Sequence, residues 1–417
     1  MIILRLSFLD RTRGLIMLTM ALDHALYFWS SGRVNNEGLP LLINGIVTFN
    51  PIGSTTLLGL LVMFFSSLCA PGFLFIAGYV LALSVKKREA LGAANWDINT
   101  YLLKRGLLLI FLQIFIASPA FNLPLFLQSR SFFSVVTTGT FFSLSVLSTI
   151  GLGFIALILG RKISPWKLLG ISGLLYFISQ FFLPAITKVF PFQQSFIKAL
   201  QTILVLPVPF SSTLLVNNNF PLIPWLLPMA LGWLYGHTYV EKHGPSYEAN
   251  RFAVSGLCSL SLFFILRFLG VGDYLVPDGT LQGFFGLSKY PPSIDFFLLY
   301  LGVVFLLCYI FFKVSQTSKL GNILEKFGQS PLFFYNAHLW LYAAIPAITG
   351  HFNSLSLLLG VGIWLMGILI LYPLSSGYQT WRIYLKTHFF TPKLLPQLEP
   401  SYSGKVNNSI IKFEKGR

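Results

Sequence analysis

The residues best suited to chemistry in this chain are histidines that lie inside long apolar runs. His24 follows Asp23 in the first run, and His338 lies in a later one with Asn336 close by. An ionisable side chain at membrane depth costs several kcal/mol and is therefore usually retained for a function. Histidine has a reference pKa of about 6.5, so it can accept a proton at neutral pH. The pattern predicts acid–base chemistry at these positions, and a histidine that only hydrogen-bonds a neighbouring helix is the simpler alternative.

The apolar runs themselves predict the elements that carry these residues. The chain of 417 residues is 55% hydrophobic and 10% charged, whereas an ordinary soluble domain is about 25% charged. About 20 apolar residues form a helix that crosses the hydrocarbon core, and the sequence predicts an all-α polytopic bundle of about 10 to 11 such membrane helices. The ten clearest segments are 15–30, 57–85, 101–121, 141–160, 166–186, 221–240, 253–270, 294–312, 331–349 and 354–374. Pro207 and Pro209 interrupt the stretch 196–215, which favours a re-entrant or interfacial piece there.

The distribution of charge predicts how the bundle is oriented. The chain carries 29 Lys and Arg against 13 Asp and Glu, a net charge of +16 that in a soluble protein would suggest a nucleic-acid partner. With the N-terminus in the cytoplasm, 23 of these 29 basic residues fall in cytoplasmic segments, as the positive-inside rule requires. Six fall outside: Arg33, Arg130, Lys188, Lys198, Arg267 and Lys289. We therefore predict that both termini are cytoplasmic, that the basic surface faces anionic lipid, and that no nucleic acid binds.

The same orientation predicts a two-part organisation and a common depth for the two histidines. Residues 1–375 form one transmembrane domain, and residues 376–417 form a cytoplasmic tail that is short and amphipathic or disordered. His24 lies roughly 13 Å and His338 about 10 Å from the cytoplasmic start of its segment. Arg13 shares a helical face with His24, and Tyr335 shares one with His338. We expect the two histidines to lie at similar depth.

Several sequence blocks resemble, in order, those of one known family. Residues 8–25, FLDRTRGLIMLTMALDHA, resemble the signature DxxRGxxxxxMxxDH of the bacterial heparan-α-glucosaminide N-acetyltransferase-like membrane acyltransferases. Residues 69–84, CAPGFLFIAGYVLALS, are similar to the family pattern APxFxFLAG, and LLKRGLLLI at 102–110 is similar to the basic start of its third helix. Later blocks match at 220–237, 288–302 and 327–342. Ser67 departs from the pattern, because many members have a histidine at that position.

The resemblance implies an enzyme of the bacterial cytoplasmic membrane. Such an enzyme moves an acetyl group from cytosolic acetyl-CoA to a sugar amine or hydroxyl at or across the membrane, and acetyl-CoA is its donor substrate. By the resemblance, His24 is the catalytic position, Asp23 lies beside it and Arg13 falls on the RG of the signature. The acceptor, N- or O-acylation and the oligomeric state stay open, and a homodimer is one outcome.

The chemistry can be stated from the residue types. An amine or hydroxyl that attacks a thioester must lose a proton, and His24 would accept it. Asp23, the third catalytic candidate, would either hold His24 in the right tautomer or, because adjacent residues of a helix do not face each other, pair with Arg13 or a residue of a different helix. His338 would act as a second base, bind the acceptor, or polarise the thioester carbonyl together with Asn336 and Tyr335. Direct transfer is the preferred interpretation, and an acetyl-histidine intermediate on His24 is the alternative.

Basic residues on the cytoplasmic side predict where a polyanionic donor binds. We expect coenzyme A between the first helix and the start of the third, although ordinary positive-inside anchoring also explains these charges. The candidates are Arg11, Arg13, Lys104 and Arg105. On the outer side, Lys289 and Tyr290 either bind an acceptor sugar or, with the two prolines that follow, form a rigid cap at a helix start.

A second function class stays open beside the acetyltransferase. In that class the protein is a membrane transporter, or a lipid- or glycan-binding membrane protein, in which His24 and His338 line a proton or substrate path. The sequence shows no convincing internal repeat, which weakens a transporter built on inverted halves. It also contains no Walker loop, Rossmann fingerprint, nucleophile elbow or metal-ligand cluster, so we expect no metal. The partners predicted are acetyl-CoA, a glycan or amino-sugar acceptor, and membrane lipid.

Overall fold

The computed structural model describes residues 6–31, 40–43, 46–49, 56–129, 142–181, 216–218, 220–239, 244–314 and 317–389. These residues form helices and two short strand pairs. The helices are α1 Ser7–Trp29, α2 Leu57–Ser67, α3 Cys69–Ala90, α4 Asn95–Leu112, α5 Ser118–Ser129, α6 Val146–Gly160, α7 Pro165–Phe181, α8 Leu222–Thr238, α9 Gly244–Phe268, α10 Leu281–Phe285, α11 Ile294–Lys313, α12 Lys319–Gln329, α13 Pro331–Thr349 and α14 Leu357–Phe389. A π turn, Gln113–Ala117, joins α4 to α5. Strand β1 (Pro40–Ile43) pairs antiparallel with β2 (Ile46–Phe49), and β3 (Phe142–Leu144) pairs in parallel with β4 (Val216–Asn218).

The helices confirm an all-α polytopic membrane fold. Five helical segments of the described residues are long and apolar enough, by length and composition, to cross a membrane: Leu57–Ala90, Asn95–Pro124, Ser246–Phe268, Ile294–Lys313 and Leu357–Leu385. The other five predicted segments also fall on helices, namely α1, α6, α7, α8 and α13, which are shorter or more polar. Asp23 of α1 and His338 of α13 are buried against neighbouring helices, where a polar side chain is tolerated in a membrane. The predicted interfacial stretch 196–215 lies outside the described residues.

Local sequence signals explain where the helices near the site begin and end. The Ser293 hydroxyl accepts a hydrogen bond from the Phe296 amide at 3.0 Å and caps α11. Pro331 stands in the first turn of α13, where a missing N–H costs least, and Gly350 ends that helix with a left-handed φ of 72°. The helix α14 continues to Phe389, so the predicted tail begins as helix, and residues 390–417 lie outside the description. By internal contacts the chain divides into two units, Met1–Ser376 and Gly377–Arg417.

Close helix packing holds α1 and its neighbours in place. The helix α1 contacts α3, α11, α12 and α13. At the crossing of α1 and α12, a Cβ added to Gly14 would overlap the Leu324 carbonyl. The helices α3 and α8 approach each other as closely, because a Cβ on Gly232 would overlap the Phe75 carbonyl. Small residues at such crossings let two helix backbones approach in a membrane, which fixes the position of the helix that carries His24.

Candidate active site

The helices α1 and α13 bring His24 and His338 into direct contact. His24 Nδ1 lies 2.7 Å from His338 Nε2. The two rings are nearly parallel, with an interplanar angle of 7° and centroids 5.0 Å apart. His338 is fully buried at 0% exposure, whereas His24 is half-buried. The histidines expected at similar depth therefore form one pair.

The hydrogen bonds of the pair determine where its protons lie when both rings are neutral. His338 Nδ1 is 2.8 Å from the Phe334 carbonyl oxygen, which can only accept, so Nδ1 carries the proton. His338 Nε2 then holds a lone pair and accepts from His24 Nδ1. The basic lone pair of His24 is consequently on Nε2. The pair thus orients His24 as a base, in the way that a carboxylate orients a histidine in other hydrolytic and transfer sites.

Aromatic side chains enclose the pair. Phe121 of α5 meets the His24 ring edge-on, at 89° with centroids 5.0 Å apart. Tyr335 of α13 meets the His338 ring at 78° with centroids 5.8 Å apart. Asp23 is buried on α1 at the neighbouring position. These walls restrict the rotation of both imidazoles and limit the access of water to them.

A cavity of about 300 Å³ lies between α1, α3, α4, α6 and α13. Its lining is mainly aliphatic and aromatic, and it includes the side chains of Arg13 and Arg105. It also includes Met20 and Tyr335, which precede His24 and His338 by four and three residues, or about 6 Å and 4.5 Å along a helix. The cavity therefore connects two basic residues with the surroundings of the histidine pair.

The model of the catalytic domain of heparan-alpha-glucosaminide N-acetyltransferase matches residues 45–272 of the chain. The chain belongs to this family. The match confirms the resemblance, and it includes the cavity residues of α3, α4 and α6 while His24 and His338 lie outside it. No curated protein matches the chain. Membership of the acetyltransferase family makes the protein a membrane acyltransferase by class.

The four basic residues expected to bind the donor of this acetyltransferase-family protein occupy different environments. Arg13 and Arg105 line the cavity, and Arg13 also forms an ion pair with Asp10. Lys104 is exposed and is absent from the lining. Arg11 is fully buried at 0% exposure. We therefore keep Arg13 and Arg105 as the donor-site candidates.

Arg11 joins α1 to the chain around α12. Its Nη1 donates a 2.9 Å hydrogen bond to the Val314 carbonyl, and its Nε lies 3.3 Å from a carboxylate oxygen of Glu325. Its Nη2 lies 3.5 Å from Asn322 Oδ1. A count of basic residues in each loop assigns Arg11 to the cytoplasmic side but does not show which residues it contacts. The contacts of Arg11 are those of a residue that fixes helix packing.

The polar residues predicted near His338 also differ in their placement. The Tyr335 hydroxyl is 3.2 Å from Ser145 Oγ and donates to Gln113 Oε1 at 3.4 Å. Asn336 Nδ2 donates to the Leu332 carbonyl of its own helix at 2.8 Å, so its amide is directed back along α13. Gln113 and Ser145 were not predicted. The signal for Gln113 was a single amide within the apolar run LLLIFLQIFIA.

Lys289 and Tyr290 lie in the loop that precedes α11. The Tyr290 ring is buried edge-on against Phe220 at 87° and 5.2 Å, and Lys289 Nζ lies 5.2 Å from the centre of the Tyr290 ring. This geometry favours the rigid cap over an acceptor-binding role. Among the described residues, no group of three or more His, Cys, Asp or Glu side chains could hold a metal ion.

Proposed function

We propose that the protein transfers an acetyl group from acetyl-CoA to a sugar amine or hydroxyl, with His24 as the general base. The observation that carries this proposal is the His24–His338 pair, which lies about one helical turn beyond Met20 and Tyr335 of the cavity lining. In this proposal the donor binds from the cytoplasmic side of a bacterial cytoplasmic membrane. The acceptor is a glycan or amino sugar, and both membrane lipid and a second copy of the chain are further partners.

The cavity supports a site for the donor thioester. Arg13 and Arg105 provide positive charge for the phosphates of coenzyme A, for which guanidinium groups are well suited. The aliphatic lining suits the pantetheine arm, which is long and mostly uncharged. Met20 and Tyr335 would then surround the thioester, one helical turn from the histidines.

The proposed transfer is a direct displacement. The acceptor nitrogen or oxygen bonds to the acetyl carbonyl carbon, its proton passes to His24 Nε2, and the carbon–sulfur bond breaks. The imidazolium then returns the proton to the departing thiolate, which leaves as free coenzyme A. Throughout, His338 Nε2 accepts the hydrogen bond from His24 Nδ1 and holds the ring in this orientation. If Nε2 attacked the thioester itself, an acetyl-histidine would form instead.

Turnover of acetyl-CoA by the purified protein tests this proposal. With glucosamine as the acceptor, we expect the release of free thiol at a rate that depends on both substrates. Retention of labelled acetyl on the protein in the absence of acceptor would instead indicate the acetyl-histidine route. A proton flux without thiol release would contradict the enzyme and favour the transporter.

The Arg105→Gln variant tests the donor site. We expect it to raise the KM for acetyl-CoA by about 10-fold with a small change in kcat, because a charge-assisted contact to phosphate is lost. Lys162→Gln is the matched control, since Lys162 is exposed and outside the cavity lining. An equal rise in KM for both variants would remove Arg105 from the donor site and indicate a general effect of charge.

A further inference from the structure

The π turn Gln113–Ala117 interrupts an otherwise continuous helical segment within a candidate membrane span. Such turns are rare, and they frequently occur at functional sites. The first residue of the turn, Gln113, is fully buried at 0% exposure. An amide in this environment is costly unless it forms hydrogen bonds, so its partners indicate why it is there.

The π turn contacts α13 at two points, one on each side of His338. Gln113 Oε1 accepts hydrogen bonds from Ser145 Oγ at 3.0 Å and from the Tyr335 hydroxyl at 3.4 Å. The Trp340 indole donates a 3.2 Å hydrogen bond to the Ile116 carbonyl, a backbone oxygen within the π turn. Tyr335 precedes His338 by three residues and Trp340 follows it by two. These bonds fix the part of α13 that carries the histidine.

The segment that follows the π turn reaches the other histidine. Phe121 of α5 packs edge-on against the His24 ring with centroids 5.0 Å apart. Removing one residue from the turn would rotate everything after it by about 100° about the helix axis. Phe121 would then no longer face His24. The extra residue of the π turn therefore determines which side chains of this helical segment face the surroundings of His24 and His338.

We propose that Gln113 is a positioning residue for acetyl transfer. It acts through its hydrogen bond to Tyr335, a residue of the cavity lining, and through the placement of His338, and it is not itself part of that lining. This inference rests on the proposed acetyltransferase function. It predicts that Gln113 influences the rate of the chemical step more than the binding of acetyl-CoA.

Three variants of the π turn test the inference. Gln113→Leu removes the acceptor oxygen, and we expect kcat to fall about 10-fold or more because the Ser145 and Tyr335 hydroxyls lose the acceptor that they share, with the KM for acetyl-CoA within about twofold. Gln113→Glu keeps an acceptor oxygen, and its carboxyl is protonated in this buried apolar position, so it should recover most of the rate. Phe115→Leu is the control, since Phe115 lies in the same turn and is 57% exposed. A normal kcat for Gln113→Leu, or no recovery in Gln113→Glu, would overturn the proposal.

A double variant separates positioning from a general structural effect. If Gln113 acts through Tyr335, combining Gln113→Leu with Tyr335→Phe should lower kcat no further than Tyr335→Phe alone. Multiplied losses would contradict this route. If the wild-type protein releases no coenzyme A, the proposed function fails, and the positioning claim is then decided by the rate at which diethyl pyrocarbonate modifies His24. We expect Gln113→Leu to change that rate and Phe115→Leu to leave it unaltered, and an unchanged rate in Gln113→Leu would refute the positioning claim.

Discussion

Replacing His338 by two different amides separates the two hydrogen bonds that its ring makes. The side-chain oxygen of glutamine can reach the position of Nε2, whereas that of asparagine reaches only the position of Nδ1. His338→Gln should therefore keep an acceptor for His24 Nδ1, which lies 2.7 Å from Nε2 in the wild type. His338→Asn should lose that acceptor and retain only a group beside the Phe334 carbonyl.

The size of the effect follows from the burial of the bond. His338 is fully buried, so loss of the acceptor leaves a donor of His24 unsatisfied away from water, at a cost of about 1–3 kcal/mol. This free energy corresponds to a fall in kcat of about 5- to 150-fold. We expect this loss in His338→Asn and a loss of only a few-fold in His338→Gln.

Steady-state release of free thiol from acetyl-CoA provides the measurement, with thermal unfolding in detergent as a check on folding. Both variants should be folded at the assay temperature, with a somewhat lower unfolding midpoint for His338→Asn because the lost hydrogen bond also costs stability. Equal rates in the two folded variants would refute the assignment of His338 as the acceptor that fixes the His24 tautomer.

Three further predictions concern stability, each followed by thermal unfolding. Glu325→Ala should destabilise the protein by about 1–3 kcal/mol, because the buried Arg11 loses its carboxylate partner; an unchanged midpoint with a raised KM for acetyl-CoA would return Arg11 to the donor site. Gly232→Ala should lower the free energy of unfolding by about 1–3 kcal/mol, because the added Cβ overlaps the Phe75 carbonyl, whereas Gly173→Ala has open space and should change it little. Equal unfolding midpoints for the two variants would contradict the close crossing of α3 and α8. Burial raises the pKa of Asp273 from 3.8 to about 6, so the folded protein binds this proton more tightly than the unfolded chain does. The free energy of unfolding should therefore rise by up to about 3 kcal/mol as the pH falls from 7 through 6 towards 4. Asp273→Asn should weaken this pH dependence, and the same slope in both proteins would refute the shift.

The sequence alone predicts the helices that carry His24 and His338 and a similar depth for the two residues, but it does not predict that their rings are in contact. Apolar runs predict membrane helices because lipid requires every backbone polar group to be bonded within the segment. The similar depth expected for His24 and His338 follows from the rise per residue and a common starting side. The cavity that we propose as the donor site lies between α1 and the part of α4 that carries Arg105, and its occupancy by coenzyme A stays a prediction.

Other features depend on contacts that a linear pattern does not contain. Arg11 and Arg13 are two residues apart and look alike as positive-inside charges, yet one is fully buried against Glu325 and the other lines the cavity. The role of Gln113 depends on one extra residue in a helical turn, which apolar periodicity does not reveal. The pairing of a particular amide with Tyr335 is likewise a property of the packed helices.

The central claim is that His24 accepts the proton of the acceptor, and the His24→Ala variant tests it most directly. The measurement is the release of free coenzyme A from acetyl-CoA in the presence of an amine acceptor, on protein shown to be folded and to bind the donor. We expect kcat to fall by about 10²- to 10⁴-fold, the range that general-base catalysis contributes. Release at the wild-type rate by folded His24→Ala would contradict the central claim.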